Sequence, residues 1–408
     1  MIGDHSFEAA RSKQKPGSAV EVLLVFLRLG CTSFGGPIAH LGYFRKEIVE
    51  RRKWCGESEL AEIIALAQSL PGPASSQVGF ALGILRAGWI GGLAAWLGFT
   101  LPSALLMLAF AYGHSFLGGN AEKGLLHGLQ LVAVAVVAQA VLGMQRSLAP
   151  DRARMAFAIA AVGLTLFLPA QFATVIAIAA GAVAGLALFR SADYEKSKSI
   201  DLRLSKTAGW VAGAAFVSIL FVTPLIAHQF SSFGLTVFSA FYRTGALVFG
   251  GGHVVLPLLE GSVVARGWVT QQSFLAGYGA AQALPGPLFT IAAFLGATVR
   301  PTPSPVLYGL LGLVGIFAPG LLAMAAILPF WSALRGNRSL QASLRGMNAA
   351  VVGILMAALF QPLWTGTIHT PGDFWIALAA FALLTLWKMQ PWMVVVCTAA
   401  VSTVASAL

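Results

Sequence analysis

Four short segments hold the residue types with the most chemistry to offer. They read SFGG at 33–36, LPGP at 70–73, VFGG at 248–251 and LPGP at 284–287, each inside a long apolar stretch. Proline has no backbone N–H and stiffens a turn, whereas glycine lets backbone approach a ligand closely. A helix broken at such a point has bare N–H groups at its new N-terminus. Those groups and the helix dipole favour an anion. Polar side chains stand beside the breaks: Ser75, Ser76 and Gln77 after the first LPGP, Thr290 after the second, and Gln68 and Gln282 just before each. Ser33 lies within the first break.

Arg28 and Arg243 are the most informative charges. A charge at the centre of a membrane helix costs at least about 2.5–3.5 kcal/mol, so such residues usually line a path for polar cargo. The forked guanidinium also matches oxyanions. The competing role for each is to snorkel to the interface or to brace a carbonyl at the break. Glu62 and Glu260 are the nearest acids, suited either to carrying protons or to a loop edge. His40 and His253 flank the two GG motifs at non-equivalent places, which favours a structural role. Cys31, Cys55 and Cys397 form no CxxC pair and read as packing residues, so neither a disulfide framework nor a metal site is expected. There is no G-x-S-x-G, HExxH or P-loop. An enzyme is therefore not expected, nor a cofactor, nor intrinsic ATP hydrolysis.

These segments belong to a repeat. Residues 26–36 read FLRLGCTSFGG and residues 241–251 read FYRTGALVFGG, with Phe26/Phe241, Arg28/Arg243, Gly30/Gly245, Phe34/Phe249, Gly35/Gly250 and Gly36/Gly251 identical. AQSLPGP at 67–73 pairs with AQALPGP at 281–287, Pro102 with Pro319, and Gly128 with Gly346. The offset stays near 215, so the chain is two homologous halves. Their expected bounds are 20–190 and 235–408, after an N-terminal segment 1–19. A linker at 191–207 and a connecting helix at 208–234 lie between them.

The elements that position the breaks must be membrane helices. Of 408 residues, 57% are hydrophobic and only 10% charged, against about 25% charged in soluble domains. The net charge of +11 sits in short loops between apolar runs rather than in one basic stripe, which argues against nucleic acid. Runs near 88–112, 124–145, 171–189, 208–228, 303–330, 346–362 and 391–408 are long enough to cross a bilayer. Shorter ones stand at 153–168 and 373–387.

Loop charge sets orientation. Residues 45–53 carry Arg45, Lys46, Arg51, Arg52 and Lys53, while their counterpart 260–267 carries only Arg266. The loop at 331–345 carries Arg335, Arg338 and Arg345, against Lys123 alone in 113–127. Arg146, Arg152 and Arg154 lie in 143–154, and its counterpart 361–372 has no Lys or Arg. The bias reverses, so the halves face opposite ways, and the unmatched helix at 208–228 supplies the flip. Full crossings at 20–40 would put one basic segment outside. Hairpins at 20–40 and 58–86 that dip in, break and return remove the conflict. Each arm of 58–86 has about 13 residues, or about 20 Å. The expected fold is an all-α polytopic membrane protein of two inverted repeats with broken or re-entrant helices. In that plan substrate sits near the midplane.

The doubled FxRxGxxxFGG…AQxLPGP pattern resembles the chromate ion transporter family in its long, two-domain form, over nearly the whole chain after residue 20. The resemblance implies a multi-pass protein of the bacterial inner membrane that exports chromate and confers resistance, with sulfate as a competing or exchanged dianion. It also admits a homodimer. Carried over by motif, the signature falls on Arg28, Phe34, Gly35, Gly36, Gln68, Pro71, Gly72 and Pro73. Their partners are Arg243, Phe249, Gly250, Gly251, Gln282, Pro285, Gly286 and Pro287. Val248 replaces Ser33, and Leu288 and Phe289 replace Ala74 and Ser75, so the first half is expected to supply more polar ligands.

Overall fold

A computed structural model describes residues 17–113, 118–168, 170–189, 205–249, 252–299, 304–334 and 337–407. Gly250, Gly251 and most of the 191–207 linker lie outside these residues. The described residues form helices and no strand. Five of the helices are long and apolar enough to cross a bilayer, at Ala74–Gly113, Gly119–Leu148, Lys206–Gln229, Pro305–Phe330 and Arg338–Thr367.

The chain enters through α1 (Ala19–Thr32), breaks, and returns through α2 (Gly36–Phe44) and a π-helical turn to Arg51. It enters again through α3 (Glu57–Ser69), breaks at 70–73, and continues into α4 (Ala74–Gly113). α4 is two helices: Ala87 and Gly88 have non-helical angles, and Gly88 has φ 67°. Arg86, just before this kink, comes back to the start of α1. Its guanidinium meets Glu21 at 3.1 Å, and its carbonyl accepts the Gly17 amide. Arg52 and Arg86 both lie over Trp54, at 5.7 and 5.4 Å. The outer ends of both excursions therefore sit together at one end of the bundle, which makes both re-entrant. The first is longer than 20–40. Its returning arm runs on to Arg51 because Phe44, Ile48 and Val49 are buried.

The second half repeats this with α9 (Phe233–Leu247), α10 (Val255–Val263), α11 (Gln271–Ala283), α12 (Ile291–Thr298) and α13 (Pro305–Ile327), after the connecting helix α8 (Lys206–Gln229). Here the outer ends gather as aromatic contacts of Phe233 with Trp268 and Tyr308, both at 5.5 Å. Direction follows from the crossing of α4 and α13. Trp96 meets Phe317 at 5.9 Å, and Leu108 lies against Gly309. The two helices run antiparallel, so the hairpins of the two halves open to opposite ends. The basic loops 45–53, 143–154 and 337–345 all fall at the first-half end, as the charge reversal requires.

The remaining helices are α5 (Gly119–Leu148), α6 (Arg152–Phe167), α7 (Ala170–Leu188), α14 (Arg338–Ala358), α15 (Pro371–Thr385) and α16 (Pro391–Ala407). α14 starts eight residues before the expected 346, because Asn337 caps it by accepting the amides of Ser339 and Leu340. These helices exchange partners between halves. A Cβ on Gly128 of α5 would meet Ala399 of α16 at 2.8 Å. A Cβ on Gly346 of α14 would collide with the Gly181 carbonyl of α7. Small residues let membrane helices approach this closely, where dispersion supplies the attraction that the apolar solvent does not. His127 of α5 meets Asp373 of α15 at 2.7 Å, adding a polar tie of the same sense.

Candidate functional site

All four interruptions meet in the middle of the bundle. The Gly72 amide donates to the Val248 carbonyl at 2.7 Å, and the Gly286 amide donates to the Ser33 carbonyl at 2.8 Å. Gly72 corresponds to Gly286 and Ser33 to Val248, so one contact is the symmetry image of the other. Pro37, after the first GG, lies 3.4 Å from where a Cβ of Gly252 would stand. α1 has 14 residues, so its tip lies about 21 Å from its outer end. That is beyond the centre of a core about 30 Å thick.

The local geometry follows from residue type. Gly35, Gly36, Gly72 and Gly286 have φ of 100°, 78°, 115° and 92°, a region that side chains disfavour. A Cβ on Gly72 would sit 2.6 Å from Gly320 Cα, and one on Gly286 would sit 2.8 Å from Ser103 Oγ. Gly320 and Ser103 follow Pro319 and Pro102. Each PGP tip is thus seated on the proline turn of the other half's long helix. Gly36 differs, because a Cβ there would meet nothing within 4 Å. Its conformation needs glycine and the space beside it is open.

Ser33 Oγ, Ser76 Oγ, Gln77 Oε1 and Thr100 Oγ1 are buried without a hydrogen-bond partner, and the buried His40 ring is held by a backbone hydrogen bond with Ser33. In the second half Trp331 Nε1 and Thr367 Oγ1 are buried in the same way. The Gln77 amide nitrogen is not a free donor, because it bonds the carbonyls of Pro71 at 2.8 Å and Gly320 at 2.9 Å. Thr290, expected as a ligand, has turned its hydroxyl to the Pro287 carbonyl at 2.9 Å. Ser75 is buried behind the tip, and Pro73 caps α4 by accepting the Gln77 amide.

The other expected residues spread outward. Phe34 reaches Trp392 of α16, at 5.9 Å between rings, and Phe249 is half-buried. Gln68 is exposed, and the Gln282 side chain hydrogen-bonds Tyr278. Pro285 and Pro287 are buried with Gly286. Arg28 is exposed on the stripe of Val20 and Leu24, opposite Gly30, which packs on α4. Arg243 is exposed while residues 241, 242 and 244–246 around it are buried. In the neighbouring loop, burial lowers the pKa of the Arg266 guanidinium, and the charge of Arg243 lowers it further. The two guanidinium groups therefore lie close enough to repel. Sequence reasoning passed over Thr100, Ser103 and Gly320, although the Pro102/Pro319 match pointed to that turn.

The arrangement brings four backbone breaks together with neutral hydroxyl groups beside them. It offers no nucleophile–base pair, and no cluster of metal-ligating side chains occurs among the described residues. No solved structure matches the chain. It is 30% identical over 398 residues to the chromate transport protein of Pseudomonas aeruginosa, covering 94% of this chain and 91% of that one. It is 28% identical over 367 residues to the probable chromate transport protein of Synechococcus elongatus, covering 89% and 88%. Against the chromate transport protein of Cupriavidus metallidurans it is 26% identical over 371 residues, covering 90% and 88%. The chromate transporter family model matches twice, at residues 20–186 and 235–403, so the chain belongs to the chromate transporter family.

Proposed function

We propose that this protein is a carrier of the bacterial inner membrane that exports chromate. The observation that carries the reading is the reciprocal pair of contacts, Gly72 to Val248 and Gly286 to Ser33, which joins four broken segments at mid-depth. Non-helical backbone is tolerated there only inside protein or beside a wet cavity. In inverted-repeat transporters such breaks form the substrate site. The basic end, with the 1–19 segment and the 191–207 linker, faces the cytoplasm on this reading. Moving one charge across 100 mV is worth about 2.3 kcal/mol, so a dianion leaving an inside-negative cell gains about twice that. Efflux then needs no co-transported ion.

Sulfate is the second candidate, because neutral hydroxyl donors suit any tetrahedral dianion. The test is flux of both anions into proteoliposomes under an imposed potential, with counterflow. Export of chromate predicts uptake that rises with an inside-positive potential and accelerates when the vesicles are preloaded with unlabelled chromate. Sulfate flux without chromate flux would overturn the chromate assignment, and absence of counterflow would overturn the carrier.

A further inference from the structure

Arg52 and Arg266 hold the same place in the two copies, yet only Arg52 is neutralised. Each stands two residues before a tryptophan and lies over its ring, Arg52 at 5.7 Å from Trp54 and Arg266 at 5.0 Å from Trp268. The residues between, Lys53 and Gly267, share positive φ, at 55° and 69°. The offset here is 214, as at the LPGP motifs. Arg52 bonds Glu47 at 2.7 Å and lies 3.8 Å from Glu21. At the offset of 214 Glu47 becomes Gly261, and at the 215 of the FGG motifs Glu21 becomes Thr236. The second copy has therefore kept the arginine and lost both carboxylates. Residues 235–408 contain two acids, Glu260 and Asp373. Glu260 is hydrogen-bonded by Gln271, and Asp373 is taken by His127 and the amides of His369 and Thr370. Among the described residues, Arg266 has no ion pair.

In place of a carboxylate, Arg266 has a second guanidinium for a neighbour. Thr244 of α9 and Ser262 of α10 share a hydrogen bond of 2.7 Å, which sets the turn bearing Arg243 beside the end of α10. The charge of Arg243 acts on Arg266. Among the described residues Arg243 has no ion pair either. Ser239, Ala240 and Ala246, one turn away on its own face, are buried. Arg243 is thus not on an outward stripe of the kind that carries Arg28 with Leu24 and Cys31. Two like charges held side by side without an acid repel, and an anion between them removes that cost.

We infer that Arg243 and Arg266 form an outer anion site at the second-half end, where one small oxyanion takes the place that a carboxylate side chain fills in the first copy. The site deepens the oxyanion reading above, on which the choice of ligand rests, and it adds Arg266, a residue outside every motif. Forked guanidinium donors match the oxygens of a tetrahedral dianion. Both arginines are exposed, so water competes and the hold stays weak enough for release.

The test gives the second copy the acid of the first. Position 261 precedes Arg266 by five residues, as Glu47 precedes Arg52, and a Cβ on Gly261 would meet nothing within 4 Å. The variants are Gly261→Glu, Gly261→Gln as its uncharged control, and Arg266→Gln, all in the full-length protein. Chromate and sulfate are the probes, each exchanged against chloride at constant ionic strength. The readouts are the thermal shift of purified protein and the half-saturating concentration in proteoliposomes. Gly261→Glu is expected in wild-type yield, with an unliganded melting temperature at or above wild type. In Gly261→Glu and Arg266→Gln the thermal shift should shrink and the half-saturating concentration rise about 10-fold. Gly261→Gln should stay within about threefold of wild type. A wild-type response in Gly261→Glu would overturn the site, and so would equal losses in Gly261→Glu and Gly261→Gln, because bulk rather than charge would then be the cause. If Arg266→Gln fails to fold, the Gly261 pair decides. Wild type that transports chromate without any anion-induced thermal shift would overturn the site and leave the carrier standing. A thermal shift without flux of either anion would overturn the carrier and leave the site.

Discussion

The Gly72 amide reaches the Val248 carbonyl at 2.7 Å, a hydrogen bond between residues 176 positions apart that closes one half of the chain onto the other. Its image at Gly286 and Ser33 means that each PGP tip is held by the FGG break of the opposite copy. Both glycines have left-handed φ and no room for a Cβ. Gly72→Ala adds backbone strain and an overlap with Gly320, together about 2–5 kcal/mol. The expected result is a large loss of monodisperse protein by fluorescence size-exclusion chromatography, with Gly286→Ala behaving alike.

Gly36→Ala should behave differently. The strain remains at about 1–2 kcal/mol, but nothing lies within 4 Å of the added methyl. The variant should accumulate in the membrane near wild-type level while its chromate flux falls. Equal losses of abundance in Gly36→Ala and Gly72→Ala would show that the space at Gly36 is not open.

Gln77 acts as a clamp. Its amide nitrogen holds Pro71 and Gly320, and so fixes the first PGP tip against α13. Gln77→Leu strands two carbonyls, at about 1–3 kcal/mol for each one left unsatisfied. A fall in melting temperature is expected whether or not anion is present.

The two motif arginines should part company. Arg243 is exposed within a buried helix and shares its surroundings with Arg266, whereas Arg28 lies on the outer stripe of α1. Arg243→Gln should lower flux and weaken its dependence on salt, because a charge that concentrates anions is screened by salt. Arg28→Gln should change flux less. A larger loss in Arg28→Gln would mean that its stripe faces the cargo.

Orientation can be read by labelling. With Cys31, Cys55 and Cys397 replaced, Lys46→Cys and Arg266→Cys should react with an impermeant maleimide from opposite sides of the membrane. Reaction from one side would end the inverted arrangement.

Much of this was legible in the sequence, because membrane helices announce themselves by apolar length and the repeat by its offset. The basic segments on either side of 20–40 also implied two hairpins, and Arg86 returning to Glu21 is that implication in atoms. What could not be read was which tip touches which. Nothing in SFGG or LPGP encodes that Ser33 meets Gly286 rather than Gly72, since the pairing depends on α4 and α13 crossing antiparallel. Residue type also misled at single positions. Thr290 looked like a donor until its hydroxyl bonded Pro287.

The exchange of α15 and α16 onto α5, and of α6 and α7 onto α14, limits how this molecule can work. Neither copy is a body that can swing by itself, because each is clasped by the closing helices of the other. Opening first to one side and then to the other must be done by something smaller inside the clasp, and the short arms that end at Ser33 and Val248 are the size of piece that could be drawn aside while the embrace stays shut.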